Sequence, residues 1–259
     1  MLNRFSFGVF TFLYRHAFFI YKPLYYFFKK YKDRHEIALM KQLIRPGMTV
    51  LDIGSNIGFY SELFSELVGE HGRVHCFEPD RDNFRHLQKA VEHKKNVTLN
   101  NAAVSEHDGE ITIYTSHRLN VDHRTYEPEQ YQDKYQVKCI CIDNYLAAET
   151  EVGFIKMDIQ GAEYQAVKGM KQLLQRSVNL SILSEFAPLF LEGSEKGAAD
   201  KLIPLLSSFG CITYRIYDRS LTKYDTAGND WRKEAAKVNT DFYFNILVVK
   251  GNDEMINNL

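Results

Sequence analysis

Leu51-Asp52-Ile53-Gly54-Ser55-Asn56-Ile57-Gly58, followed after a second apolar run by Phe77-Glu78-Pro79, is the stretch whose reading decides the fold. Thr49 to Ile53 is an apolar strand, and the two glycines that follow lack Cβ atoms, so the chain can turn tightly and let a ligand lie against its backbone. The helix expected after the turn offers N–H groups without intrahelical partners. Arg73 to Phe77 reads as a second strand. It leads into Glu78, about 20 residues beyond the glycine turn, where nucleotide-binding sheets place the carboxylate that accepts both ribose hydroxyls. The glycine spacing then discriminates between cofactors. A G-x-G-x-x-G turn would seat a pyrophosphate on the helix N-terminus, whereas here Asp52 and Asn56 give D-x-G-x-x-x-G. A carboxylate repels phosphate and suits an amino group, so the pattern points to a nucleoside with an amino-acid tail, S-adenosylmethionine. The alternative for Asp52 is a simple helix cap.

A chain of 259 residues can form one large α/β domain or at most two small ones, and one is the simpler reading. With a net charge of −1 and 25% charged residues there is no global basic field of the kind nucleic-acid binding leaves, so a small or neutral partner is expected. Cys76, Cys139, Cys141 and Cys211 form no C-x-x-C pair and no zinc spacing, which predicts reduced thiols in a cytoplasmic setting. No metal is expected, because no second carboxylate or histidine is spaced as a partner for Asp158.

Residues 1–31 depart from this average: they are crowded with Phe and Tyr and carry basic but no acidic side chains. Arg15 and Lys22-Pro23 interrupt the apolar run well short of the ~20 residues that span a bilayer, and no small-residue cleavage site follows. Neither a membrane span nor a signal peptide is expected. On one continuous helix Arg4, Arg15, Lys22 and Lys29 fall in a narrow wedge and leave a broad apolar surface that wants burial or an interface. Two readings stand: a helix packed on the domain or on a second copy in a homodimer, or an interfacial helix in peripheral contact with anionic lipid. The expected division is a helical extension over 1–35 and one domain over 36–259.

After a short helix at His35 to Leu43, strands at 49–53, 73–78 and 97–101 alternate with helices at 58–68 and 82–93, the mark of a parallel sheet covered by helices. Gly109 to Tyr114 and Gln136 to Ile142 are period-2 runs flanking a long polar loop, Ser116 to Lys134. Gly153 to Met157 and Leu180 to Phe186 are the fourth and fifth sheet strands, with helices at Ala162 to Leu174 and Lys196 to Phe209. Cys211 to Tyr217 and Phe242 to Val249 fit an edge hairpin joined by a polar link. The expectation is α/β: a doubly wound, mostly parallel sheet of seven strands with helices on both faces.

Open sheets of this kind bind ligands outside the carboxyl ends of their strands. Asp158 lies there, in Lys156-Met157-Asp158-Ile159-Gln160-Gly161-Ala162-Glu163, and is a candidate catalytic residue, with Glu163 beside it for substrate. A cap at Asp158 and a first-turn carboxylate at Glu163 are the structural alternatives. Glu185, in Ser184-Glu185-Phe186-Ala187-Pro188, would line the same crevice. Asn101-Ala102-Ala103 is polar and then small, suited to a flat base sliding past the backbone. Asn120-Val121-Asp122-His123-Arg124 gathers a base, an acid and a guanidinium in the insertion.

These residues resemble the FkbM-type methyltransferases over about Val50 to Val249, through LDIGSNIGFYS, FEPDRDNF, NNAAVS, KMDIQGAE, SEFAP and the closing FNILVV run. That family typically shows K-x-D-x-E-G-x-E. Gln160 replaces the middle acid here while Asp158 and Glu163 match, and SEFAP lacks the histidine often found after that glutamate and phenylalanine. The resemblance implies a Rossmann-like class I methyltransferase that transfers a methyl group from S-adenosylmethionine to a hydroxyl of a small molecule or glycan, with S-adenosylhomocysteine as product. It implies cofactor contacts from Asp52, Gly54, Ser55, Asn56, Gly58, Phe59, Tyr60, Glu78, Pro79, Asn101 and Ala102. Asp122, Arg124, Glu163 and Glu185 would meet substrate, with Asp158 or His123 as base, the latter for its near-neutral pKa. An NAD-type oxidoreductase and a non-catalytic module recruited by its amino-terminal helix are the alternatives.

Overall fold

The computed structural model describes residues 4–115, 124–128, 131–217, 220–225, 228–238 and 242–251, with side chains from Gly8 onward. Two aromatic helices, α1 (Arg4–His16) and α2 (Phe18–Lys32), and a third, α3 (Arg34–Leu43), precede the first strand, β1 (Thr49–Ile53). Helix α4 (Phe59–Val68), β2 (Arg73–Phe77), α5 (Arg81–Val91) and β3 (Val97–Asn100) follow, and β1–β2 and β2–β3 pair in parallel. The two crossovers expected from the alternation are therefore present.

The segment between the sheet halves makes a small sheet of its own, in the order β4-β6-β5, from β4 (Ala103–Val104), β5 (Gly109–Thr115) and β6 (Asp133–Ile140). After α6 (Ile142–Tyr145), β7 (Phe154–Met157) returns beside β1, and α7 (Glu163–Lys168) and α8 (Lys171–Arg176) lead to β8 (Leu180–Phe186). Helices α9 (Pro188–Ser194) and α10 (Ala198–Ser208) precede β9 (Ile212–Tyr217), β10 (Ser220–Lys223), α11 (Trp231–Ala235) and β11 (Phe244–Lys250). The main sheet runs β10-β9-β11-β8-β7-β1-β2-β3, antiparallel only in the three pairings that involve β9, β10 and β11.

The sheet thus has eight strands where seven were expected, because the start of the polar link pairs with β9 as the edge strand β10. Strand β11 is not at an edge. It lies between β8 and β9, which explains why Ile246 to Val249 is apolar on both faces and buried. The helix expected over 162–174 is two helices, since the chain breaks at Gly169-Met170, where a Cβ on Gly169 would overlap the Ser105 carbonyl.

Alternation along β1 divides the core. Leu51 and Ile53 join the cluster built with α7, α8 and α10, while Val50 joins the one built with α3, α4 and α5. The amino-terminal expectation of one helix with a basic wedge is corrected. The chain breaks at Ala17 and α1 folds back on α2, bringing the rings of Phe10 and Tyr21 to 6.2 Å. Arg15 and Lys22 therefore belong to different helices. Lys22 meets Glu62 at 2.9 Å and Lys29, paired with Asp33, lies 5.1 Å from the Tyr60 ring, so these two ammoniums face the domain. Tyr14 donates to Asn83 Oδ1 at 2.8 Å and fixes α1 to α5. Among the described residues no helix is long and apolar enough to cross a membrane.

Gly169 has an ordinary backbone conformation, so its constraint is purely steric. Gly169→Ala should cost about 1–3 kcal/mol through overpacking, whereas Gly8→Ala, in open space on α1, should be neutral or mildly stabilising. Chemical denaturation of the two variants checks the contrast.

Candidate functional site

The turn after β1 is shaped by backbone positions that side chains rarely adopt. Gly54 has φ +83°, and a Cβ there would overlap the carbonyl of Asp158, so this glycine lets the carboxyl ends of β1 and β7 meet. Asn56 is left-handed at φ 50°, and its Oδ1 accepts the Ile57 N–H at 2.7 Å, a local bond that makes asparagine tolerable there. The Asn56 N–H donates to Glu78 Oε2 at 2.8 Å, and the Asp80 N–H donates to Glu78 Oε1 at 3.0 Å. One buried carboxylate therefore clamps the turns after β1 and β2. An ionised carboxylate offers about four acceptor sites, so Glu78, on the cavity wall, retains capacity for hydroxyl donors. Burial pushes its carboxyl up to about 8 against the lowering effect of the backbone donors.

A cavity of about 600 Å³ opens at these strand ends. Of the residues expected at the cofactor, Gly54, Ser55, Asn56, Phe59, Tyr60, Glu78, Pro79 and Ala102 line it, and so do Arg124, Asp158 and Glu185 from the expected catalytic and substrate groups. Asp122 and His123 lie outside the described residues.

Four expected residues are not on its wall. Asp52 shares the face of Val50, under α4, where its Oδ2 accepts the Ser61 hydroxyl at 2.6 Å; the carboxylate is buried in the protein instead of reaching the cavity. Gly58 starts α4 at φ +93°, and a Cβ there would press on Ala90 and Leu87 of α5 at 3.0 and 3.1 Å, so its smallness serves helix packing. Asn101 donates to the carbonyls of Glu78 and Pro79 at 2.8 and 3.1 Å and so supports the wall from behind. Glu163 accepts the N–H groups of Ile159 and Gly161 at 3.1 and 2.9 Å, closing the turn after β7 as the structural alternative anticipated.

That turn presents Asp158. Lys156 Nζ lies 3.4 Å from its Oδ2, and the Gln160 amide donates to Oδ1 at 3.2 Å. A glutamate at 160 would place a second negative charge there; the glutamine supplies a donor, which gives the family departure a physical sense. Burial would raise the Asp158 carboxyl, but Lys156 and Lys29 outweigh it and hold the group below its ordinary value. Its side chain remains 38% exposed, open to a ligand. Glu185 behaves oppositely: burial first, then the charges of Asp158 and Glu163, push it up to about 8. Arg124 reaches the cavity with its guanidinium 4.0 Å from the Phe190 ring.

The unforeseen part of the wall comes from the amino-terminal helices: Phe10 from α1, and Tyr21, Tyr25, Phe28, Lys29 and Lys32 from α2. Lys29 and the Tyr60 hydroxyl both meet Asp33, at the junction of α2 and α3. Positions 21, 25, 28, 29 and 32 have one-face helical spacing, a signal legible once α2 is treated as its own helix. No group of three or more His, Cys, Asp or Glu suited to a metal occurs among the described residues.

An acid whose pKa is higher folded than unfolded binds more protons in the native state, so stability falls as pH rises between the two values. Glu78 and Glu185 span about 4.5 to about 8. His75 and His86, both lowered by burial, act in the other direction, but only below about 6.5. The ligand-free protein should therefore lose Tm as pH rises from about 7 to about 8.5, and Glu185→Gln should flatten part of that slope. Calorimetric melting across this range measures it.

Solved structures share the architecture at low identity. A Streptococcus mutans protein in complex with S-adenosylhomocysteine is 11% identical, with 85% of this chain and 96% of that one covered and a TM-score of 0.49. Aeropyrum pernix fibrillarin with bound S-adenosylmethionine is 14% identical, with 83% and 74% covered and a TM-score of 0.45. An rRNA methylase from Streptococcus thermophilus is 11% identical, with 83% and 93% covered and a TM-score of 0.43. At these identities the likeness extends to the fold alone. No curated protein matches the sequence. The methyltransferase FkbM domain matches residues 52–210, from the first glycine turn through α10 and so over more than half of the chain, which therefore belongs to the FkbM family of S-adenosylmethionine-dependent methyltransferases.

Proposed function

We propose that the protein is an O-methyltransferase acting on a hydroxyl of a small molecule or glycan. The observation that carries this reading is the single cavity running from Glu78 and Asn56 to Asp158, Glu185 and Arg124. It has a nucleoside end and a polar acceptor end. When bound, the cofactor supplies a sulfonium methyl group whose departure needs no metal. Glu78 would accept the ribose hydroxyls, and Ala102 and Pro79 would flank the base. Asp158, kept ionised by Lys156 and Lys29, orients the acceptor hydroxyl.

Methylation of the acceptor hydroxyl would release its proton, which a base of the protein would have to take. Glu185, poised at about 8 beside an ionised Asp158, fits that role: neighbouring acids with separated pKa values divide such tasks. Positioning contributes much of the rate, because the leaving group is already good. A net charge of −1 favours a small or sugar acceptor over nucleic acid. The methyltransferase family match replaces the oxidoreductase reading.

Ribose hydroxyls favour the ionised form of Glu78, so S-adenosylhomocysteine binding should release protons near pH 7. Glu78→Ala should weaken binding about 10²-fold or more, since hydrogen bonds to a charged group are lost. Calorimetry in buffers of different ionisation enthalpy reads both, and wild-type affinity in the variant would refute the cofactor placement. With an acceptor found by screening glycans and glycolipids for labelled methyl uptake, kcat should rise with pH through about 8 because the base must be ionised. Glu185→Gln should abolish that rise and lower kcat about 10²-fold. If it does neither while His123→Ala lowers kcat, the base belongs to the insertion instead.

A further inference from the structure

Helix α2 is amphipathic in the reverse of the usual sense. Its cationic and hydroxyl-bearing face packs on the domain, with Lys22 and Tyr26 on Glu62 and Lys29 over the Tyr60 ring. Its apolar face is turned to solvent: Phe19 is 80% exposed, Phe27 76% and Tyr31 69%, with Ile20, Leu24 and Phe28 exposed alongside. Helix α1 exposes Val9 and Phe12 as well. A soluble surface rarely leaves so many large apolar side chains exposed on two packed helices without an occupant.

Charge selects the occupant. Residues 1–32 contain no acidic side chain, and Arg15, Lys30 and Lys32 are exposed on these two helices. In a twofold contact the same patch would face itself and bring these cations against their own copies, with no carboxylate in either segment to meet them. An anionic bilayer surface meets both requirements, taking aromatic rings at headgroup depth and cations beside its phosphates. We infer that the outer face of α1 and α2 docks the protein on anionic membrane lipid. Because Phe28 and Lys32 are exposed and also line the cavity, docking sets that rim of the cavity at the lipid headgroups. The inference concerns where the molecule sits and does not depend on which acceptor is methylated.

The full chain should co-sediment with phosphatidylcholine vesicles containing about one third phosphatidylglycerol at least tenfold more strongly than with pure phosphatidylcholine, and the difference should shrink at high salt. Phe12→Ser, Phe19→Ser and Phe27→Ser combined should abolish the binding. None of the three lines the cavity, so calorimetric S-adenosylhomocysteine affinity should be retained and reports an intact fold. The native cysteines are all buried, so an environment-sensitive dye can be attached at Lys32→Cys, and its emission should shift to the blue on the anionic vesicles. The inference is overturned if anionic vesicles do not bind, if the triple variant binds as the parent does, or if light scattering finds a dimer that the triple variant dissociates. Unchanged dye emission on bound vesicles overturns the orientation. Loss of S-adenosylhomocysteine binding by the parent would count against the cofactor placement alone.

Discussion

One buried carboxylate holds the ligand end of this molecule together. Glu78 accepts the N–H of Asn56 from the turn after β1 and that of Asp80 from the turn after β2. Asn101 ties the Glu78 and Pro79 carbonyls to the end of β3. Parallel strands end with their carboxyl edges side by side, but nothing in parallel pairing fixes the loops beyond them. The clamp does so at the cost of burying an acid, and that cost appears as a carboxyl pushed up to about 8. A structural bond and a ligand-binding group are thereby the same side chain.

The other wall is organised by charges of opposite sign. Asp158 is stabilised as an anion by Lys156, Lys29 and the Gln160 amide, whereas Glu185 is burdened by burial and by Asp158 itself. The two carboxyls come from neighbouring parallel strands, β7 and β8, so their separation in pKa follows from environment and not from residue type. Lys29 links this arrangement to the amino-terminal helices, because the ammonium that lowers Asp158 also pairs with Asp33 at the base of α2. Any movement of α2 would alter the charge balance inside the cavity.

Helix α2 gives its polar face to the protein and its apolar face to the exterior. Glu62 partners Lys22 and Asp33 partners Lys29 on the inner side, where Tyr21 and Tyr26 also pack. The helix thus forms part of the cavity wall and of the outer surface at once.

Much of the architecture was legible in the residues. Short apolar runs alternating with helical stretches point to the parallel sheet, and Glu78, Asn56 and Asp158, singled out by position relative to strand ends, line one cavity. Asp52 belongs to the glycine-turn motif in sequence, yet strand alternation sends it under α4 with Val50. Glu163 stands near a strand end, yet backbone N–H groups of the turn before α7 claim its carboxylate. The break at Gly169 depends on a partner distant in sequence, Ser105, whereas β10 pairs with the strand just before it, Tyr214 to Tyr217. The sequence alone determined which residues form strands and which carboxylates stand at their ends, because these follow from local periodicity. Only the tertiary structure decided which carboxylates face the cavity, which acids carry shifted pKa values, and which side of α2 is outside. Those outcomes depend on burial and on charges brought near by long-range packing, which no local pattern encodes.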